Sequence, residues 1–176
     1  MWREAAKVAL TGENAETAIW AVESKLLLER IGVPPREISA GIREACWWIA
    51  SLDDLITYGI PEPGRTSYKQ ARNADERGRV VAGIKWVRHR HSHQLAAGTT
   101  REGDLRPFIG ETGGPPFFIS RSWRWHTVEQ MNLTDDELKL SARLQPAYER
   151  YVARHPVQTT IRDALAWFYY LRDSDS

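Results

Sequence analysis

Apolar residues at Ile38, Ile42, Ala45, Ile49, Leu52 and Ile56 alternate spacings of four and three. On a helix of 3.6 residues per turn they form one continuous stripe along about five turns. A helix of that length with one apolar side belongs in a bundle, so the rest of the chain has to supply helices to cover it. A first one is expected from about Asn14, with Ala18, Ile19, Val22 and Leu26 on one face and a stop at Gly32 before Pro34 and Pro35. Pro61, Pro63 and Gly64 end the long helix and are expected to open a polar, basic loop to about Asn73.

A third helix is expected to start near Asn73 to Asp75, where side-chain oxygens can cap free N–H groups. It carries Val80, Ile84 and Val87 towards His91 and Leu95, and Gly98 closes it. Thr134-Asp135-Asp136-Glu137 is a capping box, and the helix it opens holds Leu138, Leu144, Tyr148 and Val152, with Pro146 kinking or splitting it. A last helix follows Pro156, with Ile161, Leu165, Phe168 and Leu171 inward. Between these blocks, at about 99–131, Gly, Pro and aromatic residues take over. The run from Phe117 to His126 has partial period-two alternation and reads as a short β-hairpin or an extended arm. The expected fold is mainly α: an up-and-down helical bundle forming one domain over 1–176, with one irregular Trp-rich insertion.

Composition agrees with a single domain. The 176 residues suffice for a sizeable core without staples, and a net charge of +1 with 42% hydrophobic residues excludes disorder and a wholesale electrostatic binder. The single cysteine, Cys46, excludes an intrachain disulfide framework and a Cys-based zinc finger, and suits a reducing compartment. Its position beside the apolar stripe reads as buried and inert. No stretch approaches a membrane span, and the start Met1-Trp2-Arg3-Glu4 lacks an unbroken apolar run, so a cytoplasmic protein is expected. Eight tryptophans imply an aromatic-rich core or interface.

Charge is uneven along the chain. Residues 65–106 hold ten Lys and Arg and four acids, so the remainder is net acidic. A basic face on a near-neutral protein points to a phosphate-bearing partner, although a solvated helix face and loop would look the same. Within this stretch Lys85-Trp86-Val87-Arg88-His89-Arg90-His91-Ser92-His93 concentrates three of the five histidines. On a helix His89 and His93 lie one turn apart on one face, while His91 points elsewhere. Two such imidazoles can bind a metal, act as a general acid and base, or decorate a surface. A stable zinc site wants three or four ligands and no carboxylate partner is evident, so no metal and no cofactor is expected. Walker loops, Gly-x-Gly-x-x-Gly and Gly-x-Ser-x-Gly elbows are missing. For phosphodiester cleavage the inventory fits better: imidazole can take a ribose 2′-OH proton near neutral pH, and guanidinium can meet charge on the phosphate.

Arg88-His89-Arg90-His91-Ser92-His93 resembles the Arg-φ-x-x-x-His signature of HEPN domains, where φ is usually Asn, Asp or His and the motif sits late in a bundle helix. The resemblance implies a metal-independent endoribonuclease of a toxin–antitoxin, antiviral-defence or CRISPR setting, often a homodimer whose two motifs share one cleft. In that reading Arg88 holds the scissile phosphate, His89 is the polar φ residue and His93 the general base or acid. The products are a 2′,3′-cyclic phosphate and a 5′-OH. RNA, a second copy and an antitoxin or defence-complex protein are the implied partners. His91 is extra, and the pattern does not account for the Trp-rich insertion.

A different reading is a non-catalytic interaction module that binds protein or nucleic acid through the basic face and the arm. Arg121, Trp123, Arg124 and Trp125 interleave cations with rings as a single-stranded nucleic-acid platform would, with Lys85 and Arg90 adding charge. The same residues would also suit a strand whose tryptophans pack on the bundle. Asp53-Asp54 invites a metal reading, but neighbours on a helix diverge by 100°, which places them at the edge of the long stripe.

Overall fold

A computed structural model of the chain describes residues 2–26, 34–91, 99–102, 107–108, 117–118, 122–131, 133–139 and 142–174. It is mainly helical. Eight α-helices are described: α1 (Trp2–Leu10), α2 (Glu13–Lys25), α3 (Pro35–Gly59), α4 (Gly64–Ala74), α5 (Glu76–His91), α6 (Asp135–Lys139), α7 (Gln145–Tyr151) and α8 (Val157–Asp173).

The long stripe is α3, and Ile38, Ile42, Ala45, Ile49, Leu52 and Ile56 are all buried. Helices α1, α2 and α5 lie against it. Helix α1 has the same logic on a shorter scale, since Trp2, Ala6 and Leu10 repeat every four residues and Ala6 and Leu10 are fully buried. The segment expected as a polar loop up to Asn73 is instead α4. Only one of its sides is polar: Tyr68 and Arg72, one turn apart, both face inward, and a single apolar residue in the pair hides the stripe from a hydrophobicity pattern.

Asp75 separates α4 from α5 as a cap. Its Oδ1 accepts the Arg77 backbone N–H at 2.9 Å, which satisfies one of the open donors of the helix start. Helix α5 is the centre of the molecule, packed against α3, α4, α7 and α8. Val80, Val81, Ala82, Ile84, Trp86 and Val87 are buried, so the expected one-sided stripe of Val80, Ile84 and Val87 is only part of a surface enclosed almost all round. Gly83 makes this possible, because a Cβ there would sit 2.6 Å from Val152 Cγ2 and 3.1 Å from Tyr148 Cα on the α7 side.

Pro146 lies in the first turn of α7 and splits the fourth expected helix into α6, a 3₁₀ turn at Ala142–Leu144, and α7. In the insertion, β1 (Thr99–Glu102) pairs antiparallel with β4 (Ser122–Trp125), and β2 (Pro107–Phe108) with β3 (Phe117–Phe118). The partner of β4 thus comes from the start of the insertion rather than from the Phe117 to His126 run itself. Strand β4 is also tied to the α7–α8 turn, where Trp125 N–H donates to the His155 carbonyl and Arg154 N–H to the Trp125 carbonyl. Arg154 holds φ at 67° in that turn. Among the described residues no helix is long and apolar enough to cross a membrane.

Candidate functional site

Three helices and the 3₁₀ turn before α7 enclose a cleft of about 430 Å³, a size that accepts a small ligand or part of a polymer. Helix α3 contributes Asp54, Thr57 and Tyr58; α4 contributes Arg65, Lys69, Arg72 and Asn73; α5 contributes Lys85, Arg88 and His89; Arg143 and Leu144 close the rim. Cations reach it from α4, α5 and the 3₁₀ turn, while α3 brings Asp54, Thr57 and Tyr58 and no cation.

The floor is a buried ionic network. Asp53, fully buried, accepts from Arg72 Nη1 at 2.7 Å, Lys85 Nζ at 2.6 Å and the Tyr68 hydroxyl at 2.7 Å. Lys85 Nζ also reaches Asp54 at 2.6 Å. Burial alone would raise the Asp53 carboxyl, but Arg72 and Lys85 override it and hold it below the ordinary carboxylate range. Burial, and after it the same carboxylate, pushes the Tyr68 phenol well up, so Tyr68 stays a donor.

With Arg72 and Lys85 matched to the two aspartates, the positive charge left over on the walls belongs to Arg65, Lys69, Arg88 and Arg143. Glu62 stands 3.9 Å from Arg65 and is more than half exposed, so it offsets that charge weakly. Lys69, Arg88 and Arg143 have no acidic partner among the described residues. Two buried polar atoms in the lining also lack a hydrogen-bond partner there, Arg88 Nε and Thr57 Oγ1, the latter on a side chain only 6% exposed. Such atoms cost about 1 to 3 kcal/mol each when left unmatched.

Arg88 and His89 therefore meet at one site, in the last described turn of α5. His93 and Arg121 lie outside the described residues, as do the side chains of Arg90 and His91. Lys85 stands at the cleft but is committed to Asp53 and Asp54, which corrects its expected role as a free nucleic-acid contact. Asp53 is not at the edge of the stripe but inside it, next to Leu52 and three residues before Ile56.

The aromatic arm is also corrected. Trp123 and Trp125 are buried, on the same face of β4 by its two-residue period, and the Trp125 indole N–H donates to Thr160 Oγ1 of α8 at 2.7 Å. Neither ring is available to stack on a base. Arg124, on the other face, donates to the Arg154 carbonyl at 2.8 Å beside a separate hollow that shares no residue with the cleft. Cys46 is buried, and burial pushes its thiol up to about 12, away from nucleophilic use. Among the described residues no three His, Cys, Asp or Glu side chains gather where they could hold a metal.

Sequence reasoning missed the contribution of α4 altogether. The signal lies in Arg65, Lys69 and Arg72, spaced four and three as on one face of a basic helix rather than in a loop. In comparison with protein-family models, curated proteins and solved structures, nothing matches this chain.

Proposed function

We propose that the cleft binds a phosphodiester of RNA and that the protein is a metal-independent endoribonuclease. The observation that carries this is the convergence of Arg88, with its unmatched buried Nε, and His89 on a cleft whose surplus charge is positive. A phosphate seated there would meet the Arg88 guanidinium, with Lys69 and Arg143 also on the lining. The HEPN resemblance enters through the same residues and adds His93, four places on in sequence from His89.

In this reading an imidazole, His93, takes the proton of the ribose 2′-OH. The 2′-oxygen attacks the adjacent phosphorus, and the bond from phosphorus to the 5′-oxygen breaks. The departing 5′-oxygen leaves as a 5′-OH after receiving a proton from an imidazolium, and a 2′,3′-cyclic phosphate remains. Arg88 stabilises the charge that builds on the equatorial oxygens, and His89 supports the proton transfers. Assembly as a homodimer would place two motifs on one cleft, and a defence or toxin–antitoxin setting would supply the controlling partner.

The test is cleavage of a labelled RNA in EDTA. Cleavage is expected with cyclic-phosphate ends, blocked by a 2′-deoxy substitution at the scissile nucleotide. His93→Ala should slow it by about 10²- to 10⁴-fold and Arg88→Ala by about 10²- to 10³-fold, with circular dichroism unchanged. A requirement for added divalent metal, or cleavage that survives the 2′-deoxy substitution, removes this mechanism. Binding of RNA without turnover would leave a non-catalytic module acting through the same cleft.

A further inference from the structure

Of the six tyrosines, five are engaged. Tyr68 donates to Asp53 and Tyr148 to the His126 carbonyl; Tyr151 accepts from Arg79, Tyr169 donates to Glu23, and Arg77 lies over the Tyr170 ring. Tyr58 is the exception: it is 74% exposed, and among the described residues its hydroxyl makes no hydrogen bond and its ring touches no aromatic or cation. It follows Thr57 directly on α3. A step of 100° turns Thr57 into the cleft interior and leaves Tyr58 at the mouth, so both residues line the same hollow. An exposed ring on a helix beside a cationic cleft, stacked on nothing among the described residues, offers a flat surface next to a cationic wall.

From this juxtaposition we infer that Tyr58 is the stacking platform for one unpaired nucleobase of the strand whose phosphate sits in the cleft beside Arg88. This rests on the phosphodiester reading of the cleft and adds the substrate's form. A nucleotide carries an anionic phosphate and a flat ring joined through one sugar, which is the pairing of surfaces this wall and mouth present. A base locked in a duplex has both faces covered by its neighbours and cannot use the Tyr58 ring. The ligand is accordingly single-stranded at this nucleotide, and stacking tolerates any base because each has a π face.

The experiment measures binding of two fluorescent strands by anisotropy. One is a 2′-O-methyl octaadenylate, which offers no free 2′-OH and stays intact, and the other an abasic strand with the same backbone and length. The wild-type chain should prefer the base-bearing strand by about tenfold. Tyr58→Ala should abolish that preference and leave affinity for the abasic strand unchanged, while Tyr58→Phe should retain it. A preference that persists in Tyr58→Ala, or no preference in the wild type, overturns the platform while the phosphate site stands. Failure of either strand to bind the wild type overturns the cleft reading, and the platform with it.

Discussion

Asp53 shows how one residue can decide the shape of a site. Its carboxylate is fully buried and answers Arg72, Lys85 and Tyr68 together. A neutral amide at this position would leave Arg72 without its counter-charge at the cleft floor and Lys85 with Asp54 alone. Asp53→Asn is expected to destabilise the fold by about 3 to 5 kcal/mol in urea unfolding, the range for removing one partner of a buried pair. The pH dependence follows from the depressed folded-state value. Stability from this group is present above the ordinary carboxylate value of 3.8 and is lost as pH falls from there through the lower folded-state value. Thermal unfolding of the wild type should weaken across that acid window, and the Asn variant should show a flatter profile. Much of this was hidden in the sequence: an aspartate within an apolar stripe is visible, but its partners are 19 and 32 residues away. Arg88 and His89 were legible as a pair, because they are adjacent in the chain and both line the cleft.

At the level of elements, α5 decides most of what the site becomes. It is the helix against which α3, α4, α7 and α8 all pack, and its last described turn carries Arg88 and His89 to the cleft. The close approach of α7 depends on Gly83. Gly83→Ala gains up to about 1 kcal/mol of helix propensity. It also forces a methyl to 2.6 Å from Val152 Cγ2, and overpacking of that kind costs about 1 to 3 kcal/mol. A net loss of stability is expected in chemical denaturation. Adding Val152→Ala should recover part of it, a favourable coupling in the double-mutant cycle, because the removed methyls are those the new one meets. The mixed reading of elements has the same origin. Helices α3 and α8 announce themselves because most of their inward residues are apolar. Helix α4 does not, since half its inward stripe is an arginine whose burial only Asp53 makes tolerable.

The molecule as a whole is nearly neutral, with a formal charge of +1, so the proposed attraction of a polyanion would come from local charge such as the cleft's and not from the protein's overall field. Among the described residues Arg65, Lys69, Arg88 and Arg143 offer about four phosphate contacts. For a single strand the plot of log affinity against log salt should therefore have a slope of about −2 to −3. Lys69→Ala or Arg143→Ala should reduce the slope by about 0.7. A slope indifferent to these changes, measured by titration at several potassium chloride concentrations, would place the binding elsewhere.

The sequence alone determined the helical character, the course of the α3 and α8 stripes, the break at Pro146 and the pairing of Arg88 with His89, all of which depend on residues within a few turns of each other. Tertiary structure decided the rest. Burial turned Trp123 and Trp125 from a candidate platform into core, Asp53 claimed Arg72 and Lys85, and α4 carried Arg65 and Lys69 to the same hollow as Arg88. Local periodicity is written in the order of residues. Which charges are cancelled and which rings stay in water depends on distances between segments that the order of residues does not contain.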